Sequence, residues 1–193
     1  MVTNLNRKQH YYTLEEYFAL EKVGDARYEY WDGEIFCMSG GSQEHYALSG
    51  NIYFLLRLAL RDKPCRTFTG DSPVKTPKLP PYRYPDASVV CGESRFESIH
   101  GIDALMNPIL IVEVLSPTTE LADKEDKRIA YQAIESLQEY VLIAQDKVEV
   151  THYTRKGDLW FRDVVSALST SIQLASLART ITLTELYRGV VSQ

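Results

Sequence analysis

The sequence predicts an α/β fold in which helices flank a central mixed sheet. Residues 109–144 contain a strand, a helix and a strand in order, and such a crossover joins two strands of one sheet. Residues 86–91 and 109–115 are rich in the side chains that fill cores, which is typical of interior strands. The chain has 193 residues, of which 45% are apolar, so we expect a single domain over residues 1–193.

The first elements begin at recognisable local signals. Thr13 followed by Glu16 is a capping-box pattern, which predicts a helix over residues 13–22. An Asp-Gly dipeptide separates residues 27–31 from residues 34–38 and suits a two-residue turn between strands. We therefore expect one helix followed by a β-hairpin.

A long helix and short strands should follow this hairpin. Ser42 can cap a helix that reaches about residue 61, because the apolar residues of this stretch recur at helical spacing. Residues 65–69 and 73–75 favour strands. The proline-rich residues 76–85 favour a loop that leads into the first interior strand.

The elements after the second interior strand are predicted to be a helix, four strands and a closing helical turn. They lie, in that order, at residues 119–137, 140–144, 147–154, 159–165, 172–174 and 183–187. The second and third of these strands alternate around Lys156-Gly-Asp158, so we expect a hairpin that extends the sheet or its edge.

Composition restricts the class of function and the location. A formal net charge of −5 argues against a general polyanion-binding surface, so any nucleic-acid site must be local. Cys37, Cys65 and Cys91 lack metal-ligand spacing and are interpreted as free, mostly buried thiols, which suit a reducing compartment. The sequence contains neither a signal-peptide core nor an apolar run long enough for a membrane span. We therefore expect a cytoplasmic protein.

Two carboxylates fall in the apolar strands. Glu113 is the sole charged residue of residues 109–115, and Asp86 opens residues 86–91 directly after Pro85. A buried charge is costly unless a cation or hydrogen bonds compensate it. Converging carboxylates commonly share a divalent metal, which predicts a metal site. For each acid taken alone, an arginine partner or a turn cap is the alternative.

The predicted helix after Glu113 carries charged residues beside its apolar stripe. Asp123, Lys127, Ala130 and Ile134 share one stripe of the helix surface at about 100° per residue. An acid four residues before a base also suits a local ion pair, which is the purely structural alternative. A lysine directed at two carboxylates is what a metal-dependent phosphodiesterase needs, because its ammonium offsets charge that develops on phosphorus.

The same residues resemble a known family, the Uma-type restriction-endonuclease family of the PD-(D/E)XK nuclease superfamily. The matching motifs, in chain order, are residues 28–34 with His45, Pro85-Asp86, residues 113–118, Asp123 with Lys127 and Tyr131, and residues 139–143. The resemblance spans about residues 13–154, and it depends on the order and spacing of the motifs together.

The resemblance implies a restriction-endonuclease-like core and assigns roles to the acids. Asp86 and Glu113 would be catalytic residues that bind metal, and the Val114 carbonyl would supply a further ligand. Glu34 would be an accessory catalytic acid that binds metal directly or through water. Mg²⁺ or Mn²⁺ would be the cofactor, because a site of few carboxylates that keeps water suits these ions.

The resemblance also assigns the lysine and the substrate. The superfamily usually places a lysine two residues after the second acid, where this chain has Leu115. The family resemblance moves that role to Lys127 on the helix, with His45, Asp123 and Tyr131 as candidate accessory residues. The implied activity is hydrolysis of phosphodiester bonds in DNA by a homodimeric endonuclease. A non-catalytic binding or assembly protein that kept the fold is the alternative, favoured by Leu115 and the acidic balance.

Overall fold

The computed structural model describes residues 11–24, 26–31, 33–37, 40–115 and 122–190, apart from the side chains of residues 122–124. The chain divides into two compact units, residues 1–40 and residues 41–193. The expectation of one domain stays a prediction. Asp32 of the predicted hairpin turn and residues 116–118 of the family motif lie outside the described residues.

The first unit contains the helix and the hairpin that the sequence predicts. They are α1 (Leu14–Val23) and the antiparallel strands β1 (Tyr28–Trp31) and β2 (Glu34–Cys37). The Glu16 amide donates to the Thr13 hydroxyl at 3.2 Å, and the Thr13 amide donates to the Glu16 carboxylate at 2.7 Å, which completes the capping box. The helix ends where Gly24 adopts the left-handed conformation that glycine reaches without strain.

The second unit holds the remaining helices and strands. Its helices are α2 (Gln43–Ala59), α3 (Ala122–Gln132) and the short α4 (Leu183–Leu186). Its strands are β3 (Cys65–Thr69), β4 (Val74–Lys75), β5 (Tyr82–Arg83), β6 (Ala87–Cys91), β7 (Phe96–Ile99), β8 (Ile102–Leu105), β9 (Leu110–Leu115), β10 (Glu139–Ala144), β11 (Val150–Lys156), β12 (Leu159–Val165), β13 (Ser171–Leu174) and β14 (Arg179–Thr182). A 3₁₀ turn at Ala175–Leu177 connects β13 to β14. Among the helices of the described residues, none has the length and apolar character that crossing a membrane requires.

A central sheet of six strands is the scaffold of this unit. Its strands lie in the order β12–β11–β10–β9–β6–β3. Strands β9 and β10, which the α3 crossover connects, are parallel, and every other neighbouring pair is antiparallel. The sheet is therefore mixed, and the β11–β12 hairpin extends it to one edge, as the sequence predicts.

The two faces of the central sheet pack against different helices. On one face, α2 contributes Leu48 and Ile52 to a buried core, which confirms its predicted apolar stripe. On the other face, Tyr131 of α3 packs in a second core with Ile111 of β9. Because side chains alternate along a strand, Glu113 lies on the α3 face together with Ile111.

Two smaller sheets complete the unit, a β13–β14 hairpin and a four-stranded sheet in the order β5–β4–β8–β7. The β7–β8 hairpin falls in a polar stretch where the sequence shows no clear period. Its turn residues, His100 and Gly101, have positive φ angles of 51° and 90°, as a two-residue type I′ turn requires. A His-Gly pair is a weaker turn signal than Asn-Gly, so the sequence does not reveal this hairpin.

Helix α3 ends earlier than the predicted helix over residues 119–137. The Ile134 amide donates to the Tyr131 carbonyl at 2.9 Å, and the Leu137 amide donates to the Ile134 carbonyl at 3.2 Å. These contacts span three residues instead of four, so the chain tightens into turns after α3. Residues 119–121 lie outside the described residues.

The cysteines correct one interpretation of the sequence. Cys65 of β3 and Cys91 of β6 are directly opposite in the antiparallel register and form a disulfide. The expectation of three free thiols is therefore wrong for this pair, which no longer supports a reducing compartment. The two cysteines are 26 residues apart, and only the strand register brings them together.

Candidate active site

The candidate site lies at the N-terminal end of β6, where Asp86 directly precedes the first residue of the strand. Its Oδ2 accepts a hydrogen bond from the Val114 amide of β9 at 2.7 Å. The β6–β9 ladder ends at the Ala87–Val112 pair, so the Asp86 carboxylate takes the acceptor place that another strand residue would fill. This bond fixes the carboxylate between two strands, and 16% of the side chain stays exposed.

Two side chains of α2 contact the other oxygen of Asp86. His45 Nε2 lies 2.9 Å from Asp86 Oδ1, and the Ser49 hydroxyl donates to the same oxygen at 2.9 Å. His45 and Ser49 are four residues apart and therefore lie on one face of the helix. Sequence reasoning missed Ser49, although its spacing from His45 is the signal that could have found it.

Glu113 approaches the same end of the sheet from the α3 face. It is 7% exposed, and the Tyr131 hydroxyl donates to its Oε1 at 2.9 Å. Tyr131 is fully buried, with its ring 5.4 Å from that of Tyr140. Hydrogen bonds to a carboxylate are stronger than those between neutral groups, so a rigidly packed tyrosine orients Glu113.

Charged groups of the candidate site change the pKa of His45. The hydrogen bond with Asp86 raises the pKa of His45, and burial opposes this effect. The negative charges of Asp86 and Glu113 raise the pKa further, the positive charge of Lys127 lowers it, and the result lies above the usual 6.5. Such effects weaken with distance. The His45 imidazole therefore contacts Asp86 directly and lies within the electrostatic influence of Glu113 and Lys127.

Helix α3 supplies Lys127 and Tyr131 to the same region. The two residues are four apart, so their side chains leave one face of the helix. Asp123 lies a further turn towards the start of α3, but its side chain falls outside the described residues. Glu34 begins β2 in the first unit, and its accessory role stays a prediction.

The donor set fits some metals better than others. Within residues 40–115 and 122–190, as in the rest of the described chain, no group of three or more His, Cys, Asp or Glu side chains is arranged to hold a metal ion. A structural zinc site needs such a group, whereas Mg²⁺ is bound by one or two carboxylates and keeps several waters. Asp86 and Glu113 supply two carboxylates at one end of neighbouring strands. This set suits Mg²⁺ or Mn²⁺.

A second buried carboxylate, Glu139, is held by a different kind of environment. It begins β10 and accepts hydrogen bonds from the amides of Ala175 at 2.9 Å and Ser176 at 3.0 Å. The Ser176 hydroxyl also donates to it, and His152 Nε2 lies 3.0 Å from its Oε1. Burial acts to raise the pKa of Glu139, but the bonds from His152 and Ser176 together outweigh burial and lower the pKa. Glu139 therefore fastens the 3₁₀ turn to the sheet.

Comparisons with known proteins agree with this fold. Residues 14–184 match the family model Uma2, described as "Putative restriction endonuclease". The uncharacterized protein slr1290 of Synechocystis sp. is 31% identical over 91% of this chain and 91% of its own length. The uncharacterized protein sll1609 of the same organism is 36% identical over 76% of this chain and 82% of its own length.

A solved structure extends the comparison to the fold. It is the crystal structure of "a putative nuclease belonging to DUF820" from Anabaena variabilis, with a TM-score of 0.65. The match covers 86% of this chain and 92% of the other chain at 20% sequence identity. At that identity the likeness shows the fold, and it confirms the expected α/β architecture with a central mixed sheet.

Proposed function

This chain belongs to the Uma2 family of restriction-endonuclease-like proteins, and from that premise we propose that it is a metal-dependent nuclease that hydrolyses phosphodiester bonds of DNA. The observation that supports this proposal most is that Asp86 and Glu113 lie at a single end of the central sheet, where Tyr131, one helical turn after Lys127, contacts Glu113. Asp86 directly precedes β6, Glu113 lies on the neighbouring strand β9, and the charges of Asp86, Glu113 and Lys127 all act on the His45 imidazole.

We propose Asp86 and Glu113 as the side chains that bind Mg²⁺ or Mn²⁺. Val114 supports this assignment, because the amide and carbonyl of one strand residue point to the same neighbouring strand. Its amide donates to Asp86, so its carbonyl is directed to the Asp86 side as well. When bound, the metal would supply Lewis-acid polarisation of a phosphate oxygen and acidification of a water molecule.

The other residues of the site would orient these ligands and bind the substrate. Ser49 and His45 hold one oxygen of Asp86, and Tyr131 holds one oxygen of Glu113. Lys127 would place its ammonium against the phosphate and offset the charge that develops there. Asp123 and Glu34 stay candidates for accessory roles, and a homodimer that cuts two strands and a cytoplasmic location stay predictions.

The test is cleavage of plasmid DNA with Mg²⁺ or Mn²⁺ by the wild-type protein and by Asp86→Asn. We expect the variant to lose activity on the order of 100-fold or more while its unfolding curve stays close to that of the wild type. Asp158→Asn, an exposed acid in the β11–β12 turn, is the matched control and should cleave normally.

Unchanged metal-dependent cleavage by Asp86→Asn would contradict the assignment. DNA binding by the wild type with no cleavage under any divalent metal would favour the alternative function, a binding protein that kept the nuclease fold. Leu115, where the superfamily usually has its lysine, is the observation behind that alternative.

A further inference from the structure

A cavity of about 300 Å³ lies beside the candidate site, on the α3 face of the sheet. Leu115, which lines it, follows Glu113 by two residues on β9, and Leu142, which also lines it, is the parallel neighbour of Glu113 on β10. Arg128 of α3 lines the same cavity and is adjacent in sequence to Lys127. The cavity is therefore the next space along the sheet from Glu113 towards edge strand β12.

One wall of the cavity is an arginine held in place by its neighbours. Arg128 Nη1 donates to Gln132 Oε1 at 2.8 Å, and its Nη2 pairs with the Glu125 carboxylate. The guanidinium lies 5.7 Å from the ring centroid of Tyr153, in a cation–π contact. These contacts restrict the rotamers of Arg128, so it forms a fixed cationic wall.

A second arginine of the cavity lining, Arg162, has different surroundings. Arg162 is exposed on edge strand β12, directly opposite Tyr153 in the strand register. Within the part of the chain that the structure describes, its guanidinium forms no hydrogen bond or ion pair. A guanidinium with open donors binds phosphate through two parallel hydrogen bonds, which makes Arg162 the group best suited to an anion.

The acids of the cavity do not cancel this charge. Glu125 pairs with Arg128, and Glu149 pairs with Lys147 at 3.0 Å. Each carboxylate that lines the cavity therefore has its own cation, and with Lys147 counted from outside the lining, the cations outnumber the acids by one, which leaves Arg162 without an acidic partner among the described residues. Thr151 of β11 also lines the cavity and adds a hydroxyl that can donate a hydrogen bond.

We propose that this cavity is a subsite for a nucleotide a short distance along the cut strand from the bond that is cut, with Arg162 binding the phosphate of that nucleotide. The inference rests on the proposed nuclease function. A volume of about 300 Å³ is at the lower end for ligand pockets, which suits one nucleotide and excludes a duplex. Strand β12 lies three strand spacings from β9, roughly 14 Å, so one DNA strand can reach both regions.

The test is equilibrium binding of a short fluorescein-labelled single-stranded DNA in EDTA, followed by fluorescence anisotropy across a salt series. Removing metal prevents cleavage, so binding is measured apart from catalysis. Arg162→Gln should weaken binding about tenfold and reduce the salt slope by about 0.7, the value for one lost phosphate contact on a single strand. Arg162→Lys should recover part of the affinity, because it keeps the charge.

Arg66→Gln is the matched control, since Arg66 is an exposed arginine on β3, the opposite edge of the same sheet. Equal affinities of Arg162→Gln and Arg66→Gln, or no binding by the wild type, would overturn the subsite. Plasmid cleavage by the wild type with Mg²⁺ is measured separately and judges the nuclease function itself. Normal cleavage together with equal binding by the two variants would therefore remove the subsite alone.

Discussion

Two buried acids of the central sheet, Glu113 and Glu139, lie on neighbouring parallel strands and have different surroundings. Glu113 lies near the C-terminal end of β9, whereas Glu139 begins β10 at the opposite end of the sheet. Ligands of α/β sheets bind outside the carboxyl ends of the strands. Position along the strand therefore separates the acid suited to a ligand from the acid suited to structure.

The number of donors separates the two regions as well. An ionised carboxylate has about four acceptor positions. Glu139 receives bonds from two amides, one hydroxyl and one imidazole, and none of its surface is exposed. Asp86, which belongs to the same candidate site as Glu113, accepts three hydrogen bonds and keeps 16% of its side chain exposed. Burial alone does not identify a metal ligand, and the acceptor capacity left on Asp86 is what supports the proposal that it binds metal.

The largest expected effect is a loss of stability when Glu139 is replaced, because its acceptor positions are filled by hydrogen bonds. Glu139→Ala should lower the free energy of unfolding by about 3–5 kcal/mol, because it leaves several buried donors without an acceptor. Urea unfolding measures this change, and Glu93→Ala, an exposed acid before β7, is the control that should stay near the wild type. A loss below about 1 kcal/mol would mean that Glu139 does not fasten the 3₁₀ turn.

The next largest effect is a loss of DNA cleavage when Lys127 of the candidate site is replaced. Lys127→Met should reduce plasmid cleavage about 10²- to 10³-fold, because it removes the positive charge proposed to offset charge on the phosphate. Lys78→Met, an exposed lysine in the loop before β5, should cleave like the wild type. Cleavage by Lys127→Met at the wild-type rate would assign Lys127 a structural role only.

The smallest effect is on the pH dependence of stability. The pKa of Glu139 in the folded protein lies below its usual 4.5, so its stabilising contribution is present above that value. The contribution is lost as the pH falls through the folded pKa. Urea unfolding at a series of pH values from neutral to strongly acidic should show this loss for the wild type and a smaller one for Glu139→Gln. Identical pH profiles of stability for the wild type and Glu139→Gln would contradict this contribution of Glu139.

The sequence predicts much of the fold because most elements carry local signals. Thr13 and Ser42 cap the helices that they were expected to cap, and the β11–β12 hairpin forms around Gly157. The β7–β8 hairpin escapes prediction because its turn is a His-Gly pair. The Cys65–Cys91 disulfide escapes it because the register of two strands, not a spacing, makes the pair.

The sequence predicts only part of the candidate site, and a comparison of Glu113 with Glu139 shows why. An acid inside an apolar strand flags Glu113, but the same rule would flag Glu139, which opens an equally apolar strand. Only the fold brings Ala175 and Ser176 to Glu139, 36 and 37 residues along the chain. The donors that fill the acceptor positions of a buried acid come from distant residues. The pattern within one strand therefore cannot distinguish a structural acid from a candidate ligand.

The most direct measurement is a calorimetric titration with Mn²⁺ of the wild-type protein, Glu113→Gln and Glu139→Gln, each checked for folding by circular dichroism. The proposed site requires uptake by the wild type, no uptake by Glu113→Gln, and uptake by Glu139→Gln wherever that variant folds. Equal uptake by the wild type and Glu113→Gln, or no uptake by the wild type in the millimolar range, would contradict a metal site formed by Asp86 and Glu113.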